Sequence, residues 1–143
     1  MWRISTLVAT CAVLVTVATA CGSERSGVPS DAAVVRISEK DFRIDVRPRH
    51  VPAGDVELVV RNAGPVDHEL IVVRAQDHVL PLRSDGLTVD EDALHSQQIA
   101  VLEPAWPGTV RRVRLQLGPG RYEVFCNMAG HYMGGMHSFL EAG

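Results

Sequence analysis

The sequence is poor in several residue types that commonly announce a function. Of its 14 basic residues 13 are arginine and Lys40 is the lone lysine, none of them clustered into a polybasic tract, and the net charge is −3. Nucleic acid is therefore not expected as a partner. No segment repeats, and no low-complexity tract stands out beyond a polar stretch near the N-terminus. The chain has three cysteines, but Cys11 and Cys21 fall in or at the end of an N-terminal leader, which leaves Cys126 alone in the remainder. A disulfide within the folded part is thereby excluded. What the 143 residues do contain is 46% hydrophobic and 22% charged residues, a balance typical of one ordinary domain with a buried core.

Residues 1–20 read as a signal peptide. The short positive start MWR is followed by an uncharged run from Ile4 to Ala20 that closes on Ala18-Thr19-Ala20-Cys21. The protein is expected to be exported, to the outer face of the cytoplasmic membrane, the cell surface or the periplasm. Two readings of the last tetrapeptide stand side by side. Ala18-x-Ala20 suits ordinary signal cleavage, and small residues before Cys21 resemble the lipobox of bacterial lipoproteins, in which that cysteine carries a membrane-anchoring lipid. The run from Ile4 to Ala20 is at the lower limit of what spans a bilayer. Residues 21–31 are small and polar and form a tether, and the domain is expected over 32–143.

Within that domain the pattern is all-β. Val113, Leu115 and Leu117 alternate with Arg112, Arg114 and Gln116, and Tyr122, Val124 and Cys126 alternate with Arg121, Glu123 and Phe125, with Gly118-Pro119-Gly120 as the turn between them. Further strands are expected at 34–38, 42–46, 55–62 and 68–73, separated by Pro52-Ala53-Gly54 and Asn62-Ala63-Gly64-Pro65. Such repeated short strands predict a sandwich. A long connection runs from Arg74 to Gly108, in which Thr88-x-x-Glu91 suggests a capping box opening a short helix through Leu94 and His95. Arg111, Arg112 and Arg114 read as the wet face of a strand.

The chemistry gathers near the C-terminus, where YEVFCNMAGHYMGGM (122–136) spaces Cys126, His131 and Met136 five residues apart. With Cys126 pointing inward at the end of a core strand, the loop that follows can fold His131 and Met136 back over the thiol. A fourth donor must come from elsewhere, and His68 is the candidate because it opens a strand whose face it shares with Leu70 and Val72. His68, Cys126, His131 and Met136 make the trigonal His2Cys set with a weak axial methionine that suits copper and electron transfer. Met128 and Met133 are alternative axial donors, but Gly134 and Gly135 supply the turn that brings Met136 back. His50, His78 and His95 have no partner at metal spacing and are read as facing solvent. His137 is read as a surface group or a neighbour of the ligands.

From about Ala32 onward the chain resembles the cupredoxins, the small blue copper proteins, and NAGPVDHEL (62–70) and LGPGRYEVFCNMAGHYMGGMHSFLEAG (117–143) carry the likeness. Four residues on each side of His131 most resemble the ligand loops of rusticyanin, auracyanin and related bacterial members. The resemblance implies a Greek-key β-sandwich, one copper ion cycling between Cu(I) and Cu(II) on His68, Cys126, His131 and Met136, and one-electron transfer by a monomer between a redox donor and a redox acceptor. His131 would be the exit for the electron and Met133, Gly134 and Gly135 the docking patch, with no enzymatic activity. One departure stands out: Glu69 occupies the place where the family commonly has an asparagine bracing the cysteine loop, and its strand parity allows it to face either that loop or solvent. The rival reading is a copper chaperone or storage protein delivering Cu(I), which the methionines and histidines of the loop would also serve.

Overall fold

The structure, a computed structural model, describes residues 32–75, Asp77 and residues 79–143. The signal peptide 1–20, Cys21, the tether 21–31 and His78 lie outside the described residues. Two sheets are packed face to face. One contains β2 (Arg43–Arg47), β1 (Ala33–Lys40), β4 (Gly54–Asn62) and β7 (Val110–Leu117) in that spatial order. The other contains β3 (His50–Val51), β9 (His137–Ala142), β8 (Gly120–Phe125), β5 (His68–Arg74) and β6 (Gln98–Ala105). Most neighbours run antiparallel, whereas β1 with β4 and β3 with β9 are parallel. The strand spacing predicts a sandwich, and the Greek-key arrangement is the one the resemblance implies.

Period-two burial builds the inner face. Val35 and Ile37 from β1, Val56, Leu58 and Val60 from β4, and Leu117 from β7 meet Leu70, Val72, Tyr122, Val124 and Leu140 from the other sheet in one core. Burial on both faces of β5 and β8 has a different cause. Their outward residues Ile71, Val73 and Phe125 are covered by Leu80, Val89 and Leu94 of the long connection and by Tyr132 of the ligand loop, which form a second core.

That connection departs from expectation. Its last third is a strand, β6, whose exposed Pro104 stands on an edge where a missing N–H is tolerated. The helix shrinks to a single 3-10 turn, Asp92–Leu94, with no side-chain cap at Glu91, because Glu91 is engaged elsewhere. β3 and β9 are further strands beyond those read from the pattern.

Arg111 also departs. The alternation that turns Val113, Leu115 and Leu117 inward turns Arg111 inward as well, and it meets Glu39, which occupies a core-facing position of β1 and is fully buried. Arg111 further donates to the carbonyls of Leu102 and Glu103, so one guanidinium ties β1 and β7 to β6 of the opposite sheet. Arg112 and Arg114 are exposed as expected. Burial holds the Glu39 carboxyl above its usual range despite the opposing pull of Arg111.

Breaking such a pair leaves a buried charge unanswered, which costs about 3–5 kcal/mol, whereas replacing both partners with apolar groups is often close to neutral. Arg111→Met is expected to lower unfolding stability by about 3 kcal/mol, and Glu39→Leu in the same chain to restore most of it. Urea denaturation of the two single variants and the double variant measures this, and strictly additive losses would contradict it.

Candidate metal centre

The metal end is organised first by Asn62, the last residue of β4. Its buried side chain donates to the carbonyls of Val66 and Ala105, both at 2.7 Å, and accepts the N–H of Gly64 at 2.9 Å. These bonds close the turn 62–67 and deliver His68 to the start of β5 with no solvent exposure. His68 Nε2 lies 3.1 Å from Asp41 Oδ1, in the turn between β1 and β2. Gly64 lets the turn pass close, since a Cβ there would lie 2.6 Å from that same nitrogen.

Cys126 follows β8 directly and is fully buried, and its Sγ lies 3.4 Å from His131 Nδ1. The chain between Cys126 and Met136 is a series of turns: His131 N–H bonds to Met128 O, Gly134 to Gly130, Gly135 to Tyr132 and Met136 to His131, all at 2.8–2.9 Å. Cys126 N–H then donates to Met136 O at 3.1 Å and closes the loop on itself. Gly135 has φ 100°, a backbone region that side chains rarely allow, which is why glycine precedes the returning methionine. Met136 is fully buried in the same core cluster as Cys126, while Met133 is exposed and Met128 partly buried.

Glu69 faces the loop. Parity puts it on the face opposite to His68, but the long connection covers that face, and Glu69 Oε1 accepts the N–H of Asn127 at 3.1 Å. Asn127 is fastened from the far side too. Its side chain exchanges hydrogen bonds with the backbone of Val89 at 2.6 and 3.1 Å and donates to Glu91 Oε1 at 2.8 Å. The residue next to the cysteine is thus clamped between two acidic side chains.

Phe42 covers the other side. It sits in the β1–β2 turn at φ 59°, so the strand expected over 42–46 begins one residue later, at Arg43, and its ring packs edge-on against His131 with centroids 5.4 Å apart. A non-glycine residue held at positive φ is strained unless its surroundings impose it. Gly134 makes room for that ring, because a Cβ there would fall 2.2 Å from Phe42 Cδ1. Asp41, Phe42 and Asn127 were not singled out by sequence reasoning, and Asn62 and Gly64 were read only as part of a turn between strands.

Charges at the site follow from its burial. Desolvation pushes the Cys126 thiol up, while hydrogen bonds from the backbone at Met128 and Glu69 pull the other way. Desolvation and the nearby His131 push His68 down, against the opposing effect of Asp41. Glu69 is pushed up by desolvation and by Glu91. Of the other described histidines, His50 pairs with Glu141 at 2.8 Å, His95 is exposed, and His137 Nδ1 lies 3.0 Å from the buried Glu123.

Do these residues fit a metal ion? One donor atom each from His68, Cys126 and His131 lie within 4.8 Å of one another. Donors about 2.3 Å (sulfur) and 2.0 Å (nitrogen) from a shared ion stand about 3.5–3.7 Å apart at tetrahedral to trigonal angles, close to the 3.4 Å between Cys126 and His131. His68 Nδ1 is buried and has no hydrogen-bond partner among the described residues, although its other nitrogen is held by Asp41. A buried orphan nitrogen beside a buried sulfur is what a metal would satisfy. The residues fit.

Partners that hold the second nitrogen of a ligating histidine commonly contribute about 10–100-fold in metal affinity. Asp41→Ala is therefore expected to weaken Cu(I) binding about 10–100-fold, as read by competition with a chromogenic chelator, with little change in thermal unfolding of the metal-free protein. Unchanged affinity would show that Asp41 does not orient His68.

No protein-family model and no curated protein matches the chain. Solved structures do. Auracyanin from the photosynthetic bacterium Roseiflexus castenholzii superposes with a TM-score of 0.61 at 20% identity, over 78% of this chain and 98% of that one. Auracyanin A, a blue copper protein of Chloroflexus aurantiacus, gives 0.58 at 19% identity, over 78% and 99%. Rusticyanin from Thiobacillus ferrooxidans gives 0.51 at 13% identity, over 78% and 79%. With sheet order, ligand-loop placement and these superpositions in agreement, the chain has the cupredoxin fold.

Proposed function

We propose that this protein is a single-electron carrier that holds one copper ion in a mononuclear type 1 site, with His68, Cys126 and His131 as the strong ligands and Met136 as the weak axial one. The observation that carries the reading is the convergence of a buried sulfur, a buried imidazole and the half-buried imidazole of His131, the buried ring leaving a nitrogen with no other partner among the described residues. Copper bound there supplies a Cu(I)/Cu(II) couple that takes up and releases one electron. The chain's own part is to keep the donors still. Asp41 orients His68, Glu69 and Asn127 hold the start of the ligand loop, and the Cys126–Met136 backbone bond holds its end. Donors that cannot rearrange keep reorganisation small between oxidation states.

His131 is the exit for the electron. It is half-buried under Phe42, and Phe42, Met133 and Val66 are all more than 40% exposed around this end. Together with Gly134 and Gly135 they form an apolar patch on which a redox partner docks. Delivery of Cu(I), the competing reading, needs donors that an acceptor can approach, and both His68 and Cys126 have zero exposure. The protein acts outside the cytoplasmic membrane, as a monomer, held there by a lipid on Cys21.

The full chain loaded with Cu(II) is expected to show an intense thiolate-to-copper band in the visible, narrow copper hyperfine splitting, and reversible loss and return of colour on reduction and reoxidation. Cys126→Ser abolishes the band. A colourless protein that binds Cu(I) but not Cu(II) would instead establish copper delivery.

The buried thiol is raised above its ordinary value, so near neutral pH it is protonated and metal uptake must displace that proton. His68 is shifted down and is already neutral there. Apparent Cu(I) affinity is therefore expected to rise about tenfold per pH unit between about pH 6.5 and 8. A pH-independent affinity, measured by chelator competition, would be incompatible with a thiolate ligand.

A further inference from the structure

We propose that the outer face of the four-stranded sheet, remote in function from the metal centre, is a binding site for a phosphate-bearing anion. Each of the four strands contributes one exposed arginine to it: Arg47 from β2, Arg36 from β1, Arg61 from β4 and Arg112 from β7. The register places them together. Arg36 stands directly opposite Arg47, Arg36 and Arg112 flank Val59 from its two sides, and Arg61 lies two residues beyond Val59 on the same face. All four line one groove of about 530 Å³, with Val59 and Val110 as its apolar part and Ser38 within reach.

Carboxylates neutralise only part of this cluster. Asp45, the one acid in the groove, is held by Arg43 at 2.7 Å, and Glu57 lies 3.6 Å from Arg112. Among the described residues Arg36, Arg47 and Arg61 have no carboxylate at salt-bridge distance. Like charges directly opposite on neighbouring strands destabilise a sheet, and here the pairing occurs in a chain whose net charge is −3. An anion between the guanidinium groups removes that repulsion.

The geometry selects the anion. Guanidinium forks pair two oxygens at a time with phosphate. Neighbouring strands stand about 5 Å apart, so Arg36 and Arg47 can grip one phosphate together, while the diagonal of about 7–8 Å brings Arg61 to a second. The volume falls within the range of small-ligand sites, about 300–1,000 Å³, and the valines accept a non-polar body attached to the phosphate. A phosphorylated solute and a phospholipid headgroup share this chemistry.

The test uses the full chain carrying Cys21→Ser, so that no covalent lipid contributes. Tripolyphosphate is titrated calorimetrically at low salt, and sedimentation is measured with phosphatidylcholine vesicles with and without phosphatidylglycerol. Binding is expected to weaken by about tenfold or more in Arg36→Gln/Arg47→Gln, and to stay within about twofold in Arg121→Gln, an exposed arginine of the other sheet. Arg61→Gln, a milder change, gives an intermediate loss and serves if the double variant unfolds. Tripolyphosphate binding identifies a soluble phosphate, and binding of the anionic vesicles alone, with the same arginine dependence, identifies a headgroup. Binding of neither probe, or equal weakening by Arg121→Gln, overturns the proposal.

Discussion

A histidine ring with no exposure must have both its nitrogens answered, and the way His68 is answered governs the whole metal end of this molecule. One nitrogen belongs to Asp41, which comes from the turn between β1 and β2; the other has no hydrogen-bond partner among the described residues and is what a metal ion shared with Cys126 and His131 would satisfy. Placing the ring there requires β4 to stop at Asn62, the turn to pass at Gly64 with no side chain, and β5 to begin two residues after Val66, whose carbonyl Asn62 holds along with that of Ala105 in β6. A shift of one residue in β5 would turn His68 out of the inter-sheet core and Glu69 into it. The site is thus a property of how the two sheets are aligned at one end.

The second requirement is met by a layer outside the sandwich. The connection between β5 and β6 is more than a return path, because its leucines and valine bury the outer face of β5 and β8 and its Glu91 and Val89 reach Asn127 beside the cysteine. A β-strand covered on both sides is stiff, and Cys126 inherits that stiffness at the strand's end. The Arg111–Glu39 pair plays a similar part at the open edge, where it joins β7 to β6 across the core.

Much of this was legible from residue order alone. Alternation marks β7 and β8, and valine- and isoleucine-rich runs mark β1, β2, β4 and β5, because each turns at least one face to the core, and soft donors at regular spacing mark the candidate ligand loop because few other uses call for them together. β6 escaped because Pro104, allowed only on an edge, resembles a strand breaker, and β9 because it follows a glycine-rich loop at the chain's end. Arg111 was misread although its parity was plain, since an arginine is expected outside unless a buried acid awaits it. Asp41 and His68 are 27 residues apart and on different sheets, and Glu69 depends on a loop that covers its face; such relations exist only in three dimensions. Met136 is proposed as the fourth donor from the spacing, and its burial and backbone bond to Cys126 support that reading.

β1 also sets from which side the metal end is reached. The first described strand begins at Ala33, while the turn that holds His68 and covers His131 begins past Lys40, at the far end of the same strand. Eight residues of strand set these points about 25 Å apart. The start of β1 and the convergence of His68, Cys126 and His131 thus occupy opposite poles of the sandwich. A body that meets the converging donors head-on touches Phe42 and the loop that carries His131, and leaves the other pole uncovered.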